Sequence, residues 1–181
     1  MSSPVDTAGR EEVVLLDERH RPIGAAAKSG VHHESTPLHL AFSCYIFDSR
    51  SRLLVTRRAL GKQTWPGVWT NSCCGHPGPG EPVAEAVHRR VREELGLHVT
   101  GLRLALPEFR YRAVDASGVV ENEVCPVYVA SADDDPRPDP AEVMDWQWVD
   151  WQTFVAMARN APWSISPWAA EQAVLLDEKQ M

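Results

Sequence analysis

The chain has 181 residues, 44% apolar and 24% charged, which is one domain's worth of sequence with enough apolar material for a single core. Eighteen Lys and Arg against twenty-five Asp and Glu leave a net charge of -7 with no basic block, which argues against a general nucleic-acid binder and requires any anion site to be local. No run approaches the ~20 apolar residues of a membrane span, and the opening MSSPVDTAGREE lacks the charged-then-apolar layout of a secretory signal. Cys44, Cys73, Cys74 and Cys125 form no CxxC pair, so a cytoplasmic protein with reduced thiols, and with neither a zinc knuckle nor a disulfide framework, is expected.

Met1 to Glu12 is polar and without period and reads as a mobile tail, which leaves residues 13–181 as one domain. Val13 to Leu16, a turn at Asp17 to Pro22, and Ile23 to Ala27 read as a β-hairpin. Leu38 to Phe47 is a long strand with a period of two, the run DSRSR is its turn, and Leu53 to Arg57 returns. GHPGPG, from Gly75 to Gly80, is loop chemistry, and a helix begins at Pro82, since proline is tolerated in a first turn. Val83, Val87, Val91 and Leu95 form its core stripe and Gly96 ends it. Strands follow at Leu102 to Leu106, Phe109 to Val114, Val119 to Ala130 and Val143 to Val149, the last two joined by the acidic, proline-rich surface run ADDDPRPDPAE. Two helices close the chain, from Asp150 to about Arg159 and, with Ser166 as cap and Pro167 first, to about Lys179. This order implies an α+β fold arranged as an α/β/α sandwich with a mixed sheet.

Three groups of residues carry chemistry. On the first long helix Arg90, Glu93 and Glu94 share one side, while Val87, Val91 and Leu95 point elsewhere. A solvated face of i,i+4 pairs among Glu85, Arg89 and Glu93 is the plain alternative. On the predicted strand from Val119, alternation puts Glu121, Glu123, Cys125, Val127 and Val129 on one face, so two carboxylates share a side with valines. Like charges on an apolar face need either a proton or a cation between them. His32 and His39 flank the entry to the long strand and His76 lies in the glycine loop, whereas His20, His88 and His98 sit at solvated positions. Three imidazoles with two carboxylates are a mixed nitrogen and oxygen set suited to Zn²⁺, Mn²⁺ or Fe²⁺, with His33 able to replace His32 on composition. Finally, Arg57, Arg58 and Lys62 stand close to the glycine loop, where local positive charge suits a diphosphate, or simply marks a charged strand end.

Gly75, Glu81, Arg89, Glu93, Glu94 and Gly96, with Val91 and Leu97, resemble the Nudix box, with Arg90 where that box carries a further glutamate. In Nudix proteins the helix glutamates hold Mg²⁺ against a diphosphate, which suits a hard cation that keeps its waters. LHLAFS, TRRALGK, WPGVWTNSCCGHP, FRYRA, ENEVCPV and PWSISPW extend the resemblance from about Lys28 to Trp168, to the type 1 isopentenyl-diphosphate isomerases, where arginine at the position of Arg90 is expected. That resemblance implies a Nudix-like fold and a metal site of His32, His39, His76, Glu121 and Glu123 holding one Mn²⁺, Zn²⁺ or Mg²⁺. It further implies Cys74 and Glu123 as paired acid/base groups with Tyr111 assisting, and Glu94 holding the Mg²⁺ that carries the substrate diphosphate. Lys28, Arg58, Lys62 and Arg90 contact that diphosphate by the same resemblance. Choosing Cys74 over Cys73, and His32 over His33, rests on spacing within the matched motifs.

The implied substrate is a small isoprenoid diphosphate, with no nucleic acid or membrane partner and a monomeric enzyme. Its isolated alkene is a weak base, so isomerisation through a tertiary carbocation needs a strong local acid, a dry cavity and electron-rich surroundings. Trp168, or Trp69, offers a π-face for such a cation. A Nudix diphosphate hydrolase and a non-catalytic diphosphate sensor are the competing readings.

Overall fold

A computed structural model describes residues 11–179, so the expected tail through residue 10 lies outside the described residues. Ordered structure begins inside that predicted tail: β1 spans Glu12–Leu16 and pairs with β2 (Pro22–Ala27) in the expected hairpin. Asp17 makes the turn, its Oδ1 accepting from the backbone N–H groups of Arg19 and Arg21 at 2.9 Å each. Asp48 repeats the device in the next turn, accepting from Arg50 N–H at 3.0 Å and Arg52 N–H at 2.8 Å, which is how a short carboxylate substitutes for backbone acceptors in a tight reversal. A short helical turn, α1 (Lys28–Val31), follows the hairpin and was not visible in the periodicity.

Both long strands of the sequence reading are broken. Leu38 to Phe47 becomes β3 (His39–Leu40) and β4 (Phe42–Phe47), and Val119 to Ala130 becomes β10 (Val120–Val124) and β11 (Val127–Ser131). Pro126, with no N–H to donate, sits at the second break. The two breaks lie side by side. β3 pairs with β10 in parallel, His39 opposite Glu123; then Ala41 N–H donates to Val124 O at 2.9 Å and Ser43 N–H to Pro126 O at 3.1 Å, and β4 pairs with β11, Ser43 opposite Val127. Two parallel strands thus cross from one sheet into the other without losing register.

The remaining elements are β5 (Arg52–Arg58), β6 (Trp69–Thr70), β7 (Cys73–Gly75), α2 (Val83–Leu95), β8 (Thr100–Leu106), β9 (Arg110–Val114), β12 (Val143–Asp150), α3 (Trp151–Asn160) and α4 (Pro167–Glu178). β8 begins at Thr100 rather than Leu102, and the two short strands β6 and β7 escaped the sequence reading. One sheet has the order β2-β1-β3-β10-β9 and the other β12-β5-β4-β11-β8, with β6 on β5 and β7 on β4. Ala86, Val87, Val91 and Leu95 of α2 pack on Phe42, Cys44, Ile46 and Leu54, which confirms the predicted stripe. On the opposite face Phe154, Val155, Ala169, Ala173 and Leu176 of α3 and α4 cover Tyr45, Leu53, Val127 and Val129. Burial of each such Val, Leu or Phe contributes about 1.5–3 kcal/mol, and the outcome is the expected α/β/α sandwich. Among the described residues no helix is long and apolar enough to cross a membrane.

Two helix ends differ in detail. Asp150 caps α3, accepting from Thr153 N–H at 2.9 Å, but Ser166 makes no side-chain cap on α4; its hydroxyl pairs with that of Thr70 at 2.7 Å. Gly96 closes α2 in the left-handed region at φ 63°, and a Cβ there would stand 3.0 Å from the carbonyl oxygen of Arg137. Gly96→Ala is therefore expected to cost about 1–2 kcal/mol of stability, measured as a lowered urea midpoint with an unchanged slope.

Candidate active site

The register that puts His39 opposite Glu123 builds the centre of the site. Glu123 Oε1 lies 3.3 Å from His39 Nε2 and 3.0 Å from His76 Nε2, and the two imidazole nitrogens are 3.2 Å apart. His39 Nδ1 donates to the carbonyl oxygen of Pro37 at 2.9 Å, which turns the lone pair of Nε2 toward Glu123. His32, on the segment after α1, brings its ring within 5.2 Å of His39 and 5.6 Å of His76, and its Nε2 lies 3.2 Å from Glu121 Oε2. His32, His39, His76 and Glu123 present ligand atoms within 4.8 Å of one another, with Glu121 adjoining through His32. His33, the alternative by composition, is exposed and serves its own loop, accepting from Ser35 N–H at 3.1 Å.

Several of these polar atoms are buried without a hydrogen-bond partner: His32 Nε2, Glu121 Oε2 and His76 Nδ1. Burial pushes the His76 pKa down to about 4, against the pull of Glu123, so this imidazole is neutral at pH 7 with a nitrogen free to ligate. Burial also lowers His39, but the hydrogen bond and charge of Glu123 outweigh it and leave the pKa raised. Burial drives Glu123 up, yet His39 and His76 hold it well below the usual carboxylate range. Glu121 is raised by burial and by the charge of Glu123. Imidazoles and carboxylates converging in a buried spot, with nitrogen and oxygen atoms left without hydrogen-bond partners, fit a divalent metal ion.

A cavity of about 430 Å³ opens over this cluster, lined by His32, His76, Glu121 and Glu123 and also by Lys28, Arg58, Lys62 and Glu94. Cys74, Tyr111 and Trp168 complete its wall. Tyr111 donates its hydroxyl to Glu123 Oε2 at 2.9 Å. Burial, then the charge of Glu123, pushes the Tyr111 phenol well above its usual value, so it stays a donor. Burial pushes the Cys74 thiol up to about 11, the largest influence on it, against smaller lowering effects of its hydrogen-bond contacts with Ser43 and Asn71. Cys73, by contrast, turns under α2, its sulfur 3.6 Å from Glu94 Oε2. The Trp168 ring stands 5.6 Å from that of Tyr111 and 5.3 Å from that of Trp65, with the Arg58 guanidinium over it at 5.4 Å. Trp69 does not line the cavity, whereas Trp168 does. Arg57 also turns away, donating to Gly67 O at 2.9 Å.

Arg90 is absent from the residues lining the main cavity. It is 5% exposed and lines an adjoining cavity of about 220 Å³ with Glu11, Lys28 and His76. Its guanidinium is ringed by carboxylates: Glu94, Glu93 at 3.0 Å, Glu142 at 3.1 Å and Glu11 at 3.3 Å. Glu142 also bonds Lys62, and Glu11 bonds Lys28 at 2.5 Å. The Nudix-like residues Glu81 and Arg89 staple the glycine loop to α2: Arg89 donates to Glu81 at 2.7 and 2.8 Å, and Glu81 accepts from Gly78 N–H at 2.9 Å. Gly75 is required because a Cβ there would stand 2.9 Å from Arg90 and from the Phe42 ring.

Sequence reasoning missed Glu11, Thr64, Asn71 and Glu142, none of which sits in a telling local pattern. Thr64 donates to Glu121 Oε1 at 2.5 Å, completing that carboxylate's setting. Burial raises Glu142, but Lys62 and Arg90 hold its carboxyl down at about 2. A carboxyl depressed on folding stabilises above its unfolded pKa of about 4.5 and loses that contribution as pH falls toward 2. Glu142→Gln is therefore expected to be less stable than the parent at pH 7, with the difference closing between about pH 4.5 and 2 in urea titrations at stepped pH.

Residues 37–169 match the NUDIX domain family model. A protein of Frankia alni named isopentenyl-diphosphate Delta-isomerase is 64% identical over 162 residues, covering 90% of this chain and 84% of its own length. A protein of the same name from Mycolicibacterium vanbaalenii is 62% identical over 172 residues, covering 95% and 93%. Among solved structures, a Deinococcus radiodurans protein superposes with a TM-score of 0.68 at 21% identity over 93% of this chain and 98% of that one, a likeness of fold. The MutT protein of Methanosarcina mazei gives 0.64 at 17% identity, over 80% and 96%. With the family model spanning most of the chain and relatives of one name aligned nearly end to end, the chain belongs to the NUDIX domain family and, within it, to the isopentenyl-diphosphate Delta-isomerases.

Proposed function

We propose that this enzyme interconverts isopentenyl diphosphate and dimethylallyl diphosphate by adding a proton to the double bond and removing another from the neighbouring allylic carbon. The observation that carries this reading is a single cavity whose wall holds both proton-bearing groups and cations. Cys74, Tyr111, Glu123 and Trp168 line it together with Lys28, Arg58 and Lys62. A five-carbon substrate held by its diphosphate on those cations keeps its alkene within the same cavity as the proton-bearing groups.

Cys74 and the Tyr111–Glu123 pair are the two groups that exchange protons, since alkene isomerisation takes one proton in and lets one out. Trp168 stabilises the intervening tertiary cation through its ring, a contribution of about 2 kcal/mol or more in a desolvated setting. Tyr111, Trp65 and Trp168 also keep water from capturing the cation as an alcohol. His32, His39, His76, Glu121 and Glu123 are the residues to hold one Mn²⁺, Zn²⁺ or Mg²⁺. Such an ion supplies fixed positive charge that sharpens the acidity of groups around it. Glu94, in the same cavity wall as Lys28, Arg58 and Lys62, is the residue to hold Mg²⁺ with the diphosphate. Arg90 supports that arrangement from beneath, through its ion pair with Glu94. A small anionic substrate free in water fits action in the cytoplasm.

The test is incubation of purified protein with isopentenyl diphosphate, Mg²⁺ and Mn²⁺ in D₂O, followed by NMR. Deuterated dimethylallyl diphosphate is expected. Release of phosphate instead would make the protein a hydrolase, and unchanged substrate would make it a sensor.

A further inference from the structure

Asn71, in the turn between β6 and β7, is fully buried and serves two walls of the cavity without lining it. Its amide nitrogen donates to the carbonyl oxygens of Cys44 at 3.1 Å and Cys73 at 3.0 Å. Carbonyls only accept, so the nitrogen must face them and Oδ1 must face the other way. Toward Oδ1 come the indole N–H of Trp168 at 3.1 Å, the thiol of Cys74 at 3.3 Å and the hydroxyl of Thr70 at 2.9 Å. The indole nitrogen is only a donor, which fixes the amide orientation a second time. One oxygen therefore holds both the thiol and the aromatic ring, on two elements far apart in the chain.

We infer that Asn71 is a positioning residue for the isomerisation, its Oδ1 setting the direction of the Cys74 S–H and the plane of the Trp168 ring relative to each other. On the far side the sulfur meets the Ser43 hydroxyl at 3.5 Å, which in turn accepts from Gln172 Nε2 at 3.0 Å, so the thiol is held from two directions. A free thiol rotates about its Cα–Cβ bond among staggered wells, and each well aims the proton elsewhere. Proton delivery to one carbon while a ring sits against the resulting cation requires the two groups to be fixed together. Bonding both to one atom does this more directly than separate anchors.

This inference rests on the reading of Cys74 as a proton-exchanging group, and the test separates the two. Asn71→Leu, which keeps the shape and removes the acceptor, is expected to lower kcat per folded molecule about 100-fold with KM within about threefold. Asn71→Asp, which restores an oxygen toward the thiol and the indole, is expected to recover at least about tenfold of that loss while melting lower than the parent. An unchanged kcat in folded Asn71→Leu, or equal losses in both variants, would overturn the inference. Should Asn71→Leu fail to fold, infrared spectroscopy of the metal-loaded parent decides. The S–H stretch isolated by subtracting the Cys74→Ala spectrum is expected below the frequency of a free thiol in an apolar solvent, and a band at the free-thiol frequency would overturn the inference. Activity retained in Cys74→Ala sinks the reading of Cys74 instead, and leaves the infrared result standing on its own.

Discussion

Cys74→Ala is expected to lose about a thousandfold in turnover, the middle of the range for removal of a positioned acid or base, while folding and diphosphate binding stay nearly intact. Stability is spared because the atoms left behind keep partners. Asn71 Oδ1 retains the Trp168 and Thr70 donors, and Ser43 retains Gln172 and Cys125. Binding is spared because Lys28, Arg58 and Lys62, the cations proposed to hold the diphosphate, keep their places in the cavity wall. Deuterium incorporation by NMR, calorimetric titration with substrate and a melting curve check the three parts. Turnover within about tenfold of the parent would remove the thiol from the chemistry.

Glu123→Gln is expected to have an equally large effect for a second reason. Its Oε1 is shared by His39 and His76 and its Oε2 accepts from Tyr111, so the carboxylate joins the imidazole cluster to the cavity wall. An amide cannot supply an anionic oxygen beside His39 and His76, nor exchange a proton with an alkene. Turnover should fall about a thousandfold or more, together with bound metal by elemental analysis. Glu121→Gln separates the two losses. It leaves Glu123 in place, so its activity should return as Mn²⁺ is raised, whereas Glu123→Gln should stay inactive at any metal concentration. Recovery of Glu123→Gln by excess metal would confine that residue to a ligand role.

Much of this site is written in short-range patterns. The alternation from Glu121 to Val129 put both carboxylates and Cys125 on one face, and the structure keeps that phase through the break at Pro126 because the parallel partner breaks beside it. The four-residue spacing of Val83, Val87, Val91 and Leu95 identified the buried side of α2 and, by subtraction, the side carrying Arg90 and Glu94. Ser166 takes the predicted cap position of α4, but its hydroxyl makes no cap bond because Thr70, remote in sequence, offers it a partner. The break at Ala41 carries no local signal because the alternation continues across it, whereas Pro126, unable to donate to a ladder, marked the second break and was passed over.

Arg90 shows the limit most clearly. Its presence on the charged side of the helix was legible, but its surroundings were not: Glu11 comes from the edge of the first hairpin and Glu142 from the loop before β12, and both carboxylates converge on it. Asn71 stood in no telling local pattern. By itself the amino-acid sequence determined which residues share a face, because backbone geometry repeats every two residues in a strand and every 3.6 in a helix. Only the tertiary structure decided that His39 stands opposite Glu123, that Glu142 neutralises Lys62 and Arg90, and that one Asn71 oxygen joins Cys74 to Trp168. Those pairings join segments dozens of residues apart, and their register is set by how the layers pack rather than by any repeat along the chain.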